Sequence, residues 1–291
     1  MRDYWLTQYV LTVMGWGYAV VCVIAIALAL WLPKGKMSKG LATAIVIGLA
    51  SILPFRGYEE YRKGQEAAQD YNARLATAEL LFDERCKTAG EKIYKTVENV
   101  EGVLLLKLRP EQINFSNQYV MDDPYGQQNW RGEGYVKQFL AGRADDFWLT
   151  EKTAAGAYRF VDVIDEDSKK ILSYAVNFHN TGMQLTSVSK VTSTAIYSID
   201  WKDESTQSDR DNWIACGSVS VINISTGEVL GKRTGCMLDR GMGSTIGGRS
   251  PWSFARDSAC PAPRKTPDGR AIFDPVDRNF VEKVLKPIEG K

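Results

Sequence analysis

The feature that most constrains this chain is a long apolar run near its N-terminus. From Tyr4 to Pro33 there is no charged side chain, and the run Val10 to Leu32 is almost continuously apolar. At about 1.5 Å of rise per residue, a helix of this length crosses a hydrocarbon core of about 30 Å. A signal peptide is the alternative, but its apolar region is usually about 7 to 15 residues long and follows a more basic segment. We therefore expect a membrane-spanning helix over residues 10–32.

A second apolar run, from Leu41 to Phe55, is shorter and contains Pro54 near its end. It spans a bilayer only if the helix borrows flanking residues or the bilayer thins locally. A buried core helix is the alternative. We expect a second span over residues 39–55, so that residues 1–55 form a two-helix transmembrane hairpin that anchors the chain in a lipid bilayer.

The loop between the two runs contains Lys34, Lys36 and Lys39. Cytoplasmic loops are enriched in lysine and arginine, so this charge favours a cytoplasmic Lys34–Lys39 loop and places both chain termini on the opposite side. Basic residues also flank the helices on that opposite side, and the charges alone leave the orientation open.

The segment around two cysteines has the pattern of a β-hairpin. A three-residue loop, Ser225–Gly227, commonly has glycine in its last position, and it places Ile224 opposite Glu228. Counting outward then brings Cys216 opposite Cys236. Opposed residues of antiparallel strands have Cβ atoms about 4.5 to 5.5 Å apart, so modest adjustment permits a disulfide.

Two further cysteines outside the apolar runs, Cys86 and Cys260, then pair by elimination. Four buried free thiols are the alternative; zinc is disfavoured because there is no CxxC pair and no histidine nearby. Disulfides persist in oxidising compartments. We therefore expect a protein of the bacterial inner membrane with periplasmic N- and C-termini.

Beyond residue 55 the chain mixes charged and apolar residues at helical spacing, which predicts a juxtamembrane helix over residues 56–98 that packs onto the soluble domain. The remainder, residues 99–291, has mainly short strand patterns joined by turns, such as 158–164 and 171–178, and a closing helix. With no βαβ rhythm, the sequence predicts an α+β fold: the transmembrane hairpin followed by a disulfide-stapled antiparallel-sheet domain with flanking helices. The predicted helical stripe consists of Leu75, Ala78, Leu81, Phe82, Cys86, Ala89, Ile93 and Val97.

Catalytic and metal-binding patterns are sparse in this sequence. His179 is the only histidine, so a Ser-His-Asp triad must use it or not exist, and no G-x-S-x-G, H-E-x-x-H or Walker sequence is present. The acidic groups Asp122–Asp123 and Asp165–Asp167 are either solvated turns or weak calcium ligands without EF-hand spacing. We expect no metal site and no cofactor.

The glycine-rich segment 241–250 does not have the spacing of a phosphate-binding loop. One interpretation is a mobile connection. The other is a recognition loop, because loops on rigid scaffolds often bind partners and exposed aromatic side chains anchor them. The predicted partner-binding residues are Gly243, Ser244, Arg249, Trp252 and Phe254.

Basic and acidic residues nearly balance, at 36 and 35, and no basic stripe interleaves with aromatics, so we expect no nucleic-acid partner. The sequence favours a membrane-anchored periplasmic binding protein with a protein partner in the envelope. Its narrower form is an immunity or inhibitor protein that neutralises a toxic enzyme. The alternatives are a component of an envelope assembly such as a secretion complex, and an envelope hydrolase that uses His179 or a carboxylate pair.

Overall fold

The computed structural model describes residues 2–111, 125–126, 130–142, 157–165, 168–179, 182–269 and 275–288. The chain divides into two compact units, Met1–Asn72 and Ala73–Lys291. Over these described ranges there are six α-helices: α1 Arg2–Trp31, α2 Lys36–Cys86, α3 Glu133–Ala141, α4 Gln207–Asp211, α5 Pro251–Ala255 and α6 Val276–Val284.

The described residues also form short β-strands, which all lie in the second unit. Most of them are four to ten residues long, as expected for a globular domain. They are β1 Gly90–Ile93, β2 Val97–Val100, β3 Gly102–Leu105, β4 Phe160–Ile164, β5 Ile171–His179, β6 Gly182–Lys190, β7 Tyr197–Asp203, β8 Ile214–Asn223, β9 Val229–Leu238, β10 Ala259–Cys260 and β11 Leu285–Pro287.

The first unit contains the two apolar helices that the sequence predicts. Thr12–Trp31 of α1, and α2, are both long and apolar enough to cross a membrane. Their apolar side chains are exposed, Trp16 at 72% and Leu49 at 63%, so this surface needs lipid or protein around it. Tyr18 of α1 donates a hydrogen bond to the backbone carbonyl of Ala50 in α2.

Helix α2 differs from the prediction at both ends of the expected juxtamembrane segment, 56–98. It passes through Pro54, which removes one backbone hydrogen bond without ending the helix, so the second apolar segment and the following polar segment are one helix. It ends at Cys86, and the predicted helix beyond this residue is wrong. Gly90 has a φ of 135°, which ordinary residues rarely adopt, and it turns the chain into β1 and β2.

Nine strands form one mixed sheet in the order β1-β9-β8-β7-β3-β4-β5-β6, with β10 also paired to β9. Strand β3 is parallel to both β4 and β7, whereas the other pairs are antiparallel. Strands β2 and β11 form a separate parallel pair. The predicted wholly antiparallel sheet is therefore wrong, because the long connection from β3 to β4, which includes α3, makes the crossover that parallel pairing requires.

The sheet has a hydrophobic core on each face. On one face, Tyr135 and Phe139 of α3 and Phe280 of α6 pack against inward-facing strand residues such as Leu105. On the other face, the last turns of α2 pack through Ala78 and Phe82 against the cysteine end of β8 and β9. Strand side chains alternate between the faces, which is why both helical layers find apolar partners.

Both disulfides are present in the predicted pairing, one from the hairpin pattern and the other by elimination. Cys216 lies opposite Cys236 in the β8–β9 ladder and is bonded to it. Cys86, the last residue of α2, is bonded to Cys260 of β10. The second bridge therefore fixes the end of α2 to the edge of the sheet.

The β8–β9 turn differs in detail from the predicted three-residue loop. Asn223 donates its backbone N–H to the carbonyl of Glu228 and accepts a hydrogen bond from the N–H of Gly227, so the loop comprises residues 224–227. Gly227 does have the expected positive φ, 70°. A one-residue shift in the ladder, with Leu230 as the extra residue, restores the register at which the cysteines meet.

Candidate functional site

A cleft of about 930 Å³ opens where β3, β4 and β7 end. These three neighbours run in the same direction, so their carboxyl ends lie together at one edge of the sheet. Ligands of parallel sheets bind at such edges because the chain leaves adjacent strands in different directions and opens a crevice. The cleft lies within the second unit.

One wall of the cleft is basic and aromatic. Lys107 and Arg109 follow β3 in the chain, and both side chains lie over the ring of Trp201. The Lys107 ammonium lies 4.1 Å from the centre of the Trp201 ring, and the Arg109 guanidinium carbon lies 4.9 Å from it. Trp201 is 6% exposed, so these cation–π contacts are largely shielded from water, where they are stronger.

A buried network fixes this wall from behind. The Arg109 guanidinium donates to Asp277 Oδ2 through Nη2 at 2.6 Å and Nε at 3.0 Å, and the Tyr135 hydroxyl donates to the same oxygen at 2.9 Å. Burial lowers the pKa of Arg109, but Asp277 and Tyr135 more than offset this and the net direction is upward. Burial also raises the pKa of Tyr135 well above its usual range, and Asp277 raises it further. The Arg109 guanidinium therefore stays charged, and the Tyr135 hydroxyl stays protonated, at neutral pH.

The lining of the cleft also contains acidic side chains. Glu133, in the first turn of α3, and Asp165, at the end of β4, both line it. Burial raises the pKa of Tyr174, which also lines the cleft, and the charges of Glu133 and Asp165 raise it further. The side chain of Glu111 lies against Gly132. A Cβ at position 132 would lie 2.3 Å from the Cγ of Glu111, so the close contact requires glycine there. The cleft lining thus contains both basic and acidic side chains.

The glycine-rich loop after β9 is organised around one carboxylate. Asp239 is fully buried, accepts hydrogen bonds from the N–H groups of Gly241 at 3.0 Å and Gly243 at 2.8 Å, and forms an ion pair with Arg249. Gly243 has a φ of 80°, and a Cβ there would lie 1.9 Å from the ring of Trp213. The expected mobile connection is therefore a loop with internal bonds at each of these positions.

The predicted partner-binding residues separate into two groups. Gly243, Ser244 and Arg249 lie together, with the Ser244 carbonyl accepting a hydrogen bond from Arg249 at 3.0 Å. Phe254 is 54% exposed and lies 5.2 Å from the Arg249 guanidinium. Trp252 is fully buried, because its indole packs in the core with Ala215 of β8 and Met237 of β9. It is therefore not a surface anchor.

His179 lies away from the cleft. It is the last residue of β5, whereas Leu172 and Tyr174 near the start of that strand line the cleft, roughly 23 Å and roughly 17 Å away along the strand at about 3.3 Å per residue. Catalysis through His179 stays a prediction. Asp122, Asp123, Glu166 and Asp167 lie outside the described residues, and the residues that are described contain no group of three or more metal-binding side chains.

The cleft was detectable in the sequence only in part. The segment VLLLKLRP, residues 103–110, has Lys107 and Arg109 at alternate positions directly after a buried strand, which is the signal of charged side chains at a strand end. Asp277 and Tyr135 gave no local signal, because they reach Arg109 from helices far away in the chain.

No protein-family model matches the chain, and no curated protein or solved structure matches it either. Function must therefore be inferred from the geometry of this molecule. That geometry consists of a cleft lined by aromatic, basic and acidic side chains, in a domain with two disulfides, preceded by two apolar helices.

Proposed function

We propose that the chain is a membrane-anchored binding protein, with its disulfide-bonded domain on the periplasmic side of a bacterial inner membrane. Its partner is a protein of the cell envelope. The observation that carries this proposal is the cleft at the carboxyl ends of β3, β4 and β7, whose basic wall is held in place by the buried Arg109–Asp277 pair.

The anchor and the compartment are supported by three independent features. The two apolar helices have the length and composition of membrane spans. The two disulfides favour an oxidising compartment for the second unit, and the lysines of the Lys34–Lys39 loop favour the cytoplasm for the connection between the helices.

The charges of the cleft define the partner chemistry. A protein segment that places a basic side chain near Glu133 or Asp165 and an acidic one near Lys107 complements the charges of the lining. Such complementarity mainly supplies specificity and fast association. The pre-organised network around Arg109 lowers the entropic cost of binding, because the wall is already ordered.

Within this class, we favour an immunity or inhibitor protein, which binds and neutralises a toxic enzyme in the envelope. The alternative is a component of an envelope assembly, such as a secretion complex, which the same anchor and cleft would also suit. The identity of the partner separates the two: a secreted enzyme supports the first, and subunits of a membrane machine support the second.

The binding test uses the full chain in detergent. The partner is captured by cross-linking in intact cells, identified, and then titrated against the wild-type chain, Lys107→Glu and Glu133→Lys. We expect each reversal to weaken binding at least about tenfold, or about 1.4 kcal/mol, because like charges then face each other across the interface.

The matched control is Lys95→Glu, which makes the same charge change at an exposed residue outside the cleft. It should bind like the wild type. Unchanged affinity in both cleft variants, with wild-type melting temperatures, would exclude the cleft as the binding site.

A further inference from the structure

The two edges of the large sheet differ in length and charge. At one edge, β1 has only four residues and includes Glu91 and Lys92. Glu91 also forms an ion pair with Lys283 of α6 at 2.6 Å. Short length and charged side chains are the usual means by which an edge strand avoids pairing with another chain. This edge is protected.

Strand β6, at the other edge, has none of these features along most of its length. It has nine residues, Gly182–Lys190, no proline, and a single charged residue at its last position. Within the part of the chain that the structure describes, β6 pairs only with β5, in an unbroken register. Thr186 is exposed and Val188 is 64% exposed.

An edge strand of this kind directs every second backbone N–H and C=O away from its neighbour. These groups form a template for one more strand. The side chains of β6 are compatible with a second copy of β6 that runs antiparallel to it.

We propose that β6 pairs antiparallel with β6 of a second copy of the chain, about a two-fold axis at Thr186. The two nine-stranded sheets then form one continuous sheet. Thr186 is the midpoint of Gly182–Lys190, so this register pairs every outward-facing backbone group, whichever alternate set faces outward. Such an interface uses the same surface on both copies and closes on itself, as in most homodimers.

The side chains in this register contain no unfavourable pair. Thr186 faces its own copy, a cross-strand pair that contributes roughly 0.2–1 kcal/mol. Leu185 faces Ser187, and Gln184 faces Val188. Lys190 faces Gly182, so the two lysines lie at opposite ends of the paired strands, roughly 27 Å apart at about 3.3 Å per residue. This is well beyond the Debye length of about 8 Å, and their repulsion is screened.

The test introduces a charged side chain at the two-fold axis, in the full chain in detergent. Thr186→Lys and Thr186→Glu each place two like charges directly opposite each other, which destabilises a strand pair. We expect a dimer for the wild type and a monomer for each variant in light scattering corrected for bound detergent. Mixing the two variants should restore the dimer, because lysine then faces glutamate.

The mixing experiment also shows that the variants are folded, since misfolded chains would not recover the dimer. Ser225→Lys, an exposed substitution in the β8–β9 loop, is the control and should stay dimeric. A monomeric wild type overturns the proposal. So does a dimer that persists in both single variants, which would assign association to the apolar helices, and so does a mixture that stays monomeric.

Discussion

Arg109 is a buried cation whose stability depends on side chains far away in the sequence. Its partner Asp277 is 168 residues distant, and Tyr135, which shares the same carboxylate oxygen, is 142 residues from Asp277. A buried ion pair gains stability only when its remaining hydrogen-bonding capacity is satisfied, because taking two charges out of water is costly. The Tyr135 hydroxyl supplies one of the required bonds. It therefore links α3 to α6 and to the wall of the cleft.

Replacing Tyr135 by phenylalanine should have two effects on stability. At neutral pH it should lower the free energy of unfolding by about 1–3 kcal/mol, because a bond to a buried carboxylate is lost. In the wild type, burial holds the Tyr135 pKa above its usual value of 10.0, so only the unfolded state ionises as the pH passes that value and stability falls. Tyr135→Phe lacks this titrating group. Its free energy of unfolding should therefore fall less steeply above pH 10 than that of the wild type, by up to about 1.4 kcal/mol per pH unit.

Urea unfolding at pH 7 and between pH 10 and 11 measures both effects of this substitution. Tyr94→Phe, at a residue that is 63% exposed, is the matched control for loss of a hydroxyl group. An alkaline slope for Tyr135→Phe that equals the wild-type slope would show that Tyr135 is not the titrating group.

At the scale of elements, the β8–β9 hairpin shows what the sequence could and could not predict. Glycine in the last loop position and the spacing of the cysteines sufficed to pair Cys216 with Cys236. The loop is nevertheless one residue longer than predicted, and the bulge at Leu230 compensates for it. Leu230 accepts hydrogen bonds from the N–H groups of Tyr94 and Lys95. The bulge thus depends on a neighbouring segment, which no local pattern reveals.

The two disulfides should stabilise the second unit unequally. Cys86 and Cys260 are separated by 174 residues, and Cys216 and Cys236 by 20. Loop-closure entropy of the unfolded chain then predicts about 5 kcal/mol for the long loop and about 3 kcal/mol for the short one. Replacing both members of each pair by serine and comparing urea unfolding measures the difference, which we expect to be about 2 kcal/mol. Equal losses would contradict the entropic account.

At the scale of the whole molecule, the α+β class was predictable and the sheet topology was not. Apolar runs and turn residues indicate separate strands, such as the predicted strands 158–164 and 171–178, which are β4 and β5 of the sheet. The parallel pairing of β3 with β4 and β7 depends on contacts across long connections. Because the cleft lies at the ends of these three strands, its position could not be predicted from the sequence either. Strand β6 was missed because its residues are mostly polar.

The orientation of the whole chain in the membrane has a direct test. If the Lys34–Lys39 loop is cytoplasmic and the second unit periplasmic, a cysteine at Ser225 should react in intact cells with a maleimide that does not cross the inner membrane. A cysteine at Ser38, in the first turns of α2, should react only after the cells are lysed. This arrangement is favoured because the disulfides of the second unit indicate an oxidising compartment, whereas the lysines between the helices indicate the cytoplasm.

The wild-type chain is the control for this labelling, since its one free thiol, Cys22, lies within the first apolar helix. Reaction at Ser38→Cys but not at Ser225→Cys in intact cells would invert the orientation. Both disulfides would then have to form on the reducing side, where thiols are kept reduced. The compartment assignment would fail in that case, whereas the cleft and the β6 edge, which are properties of the folded second unit alone, would still be open to their own tests.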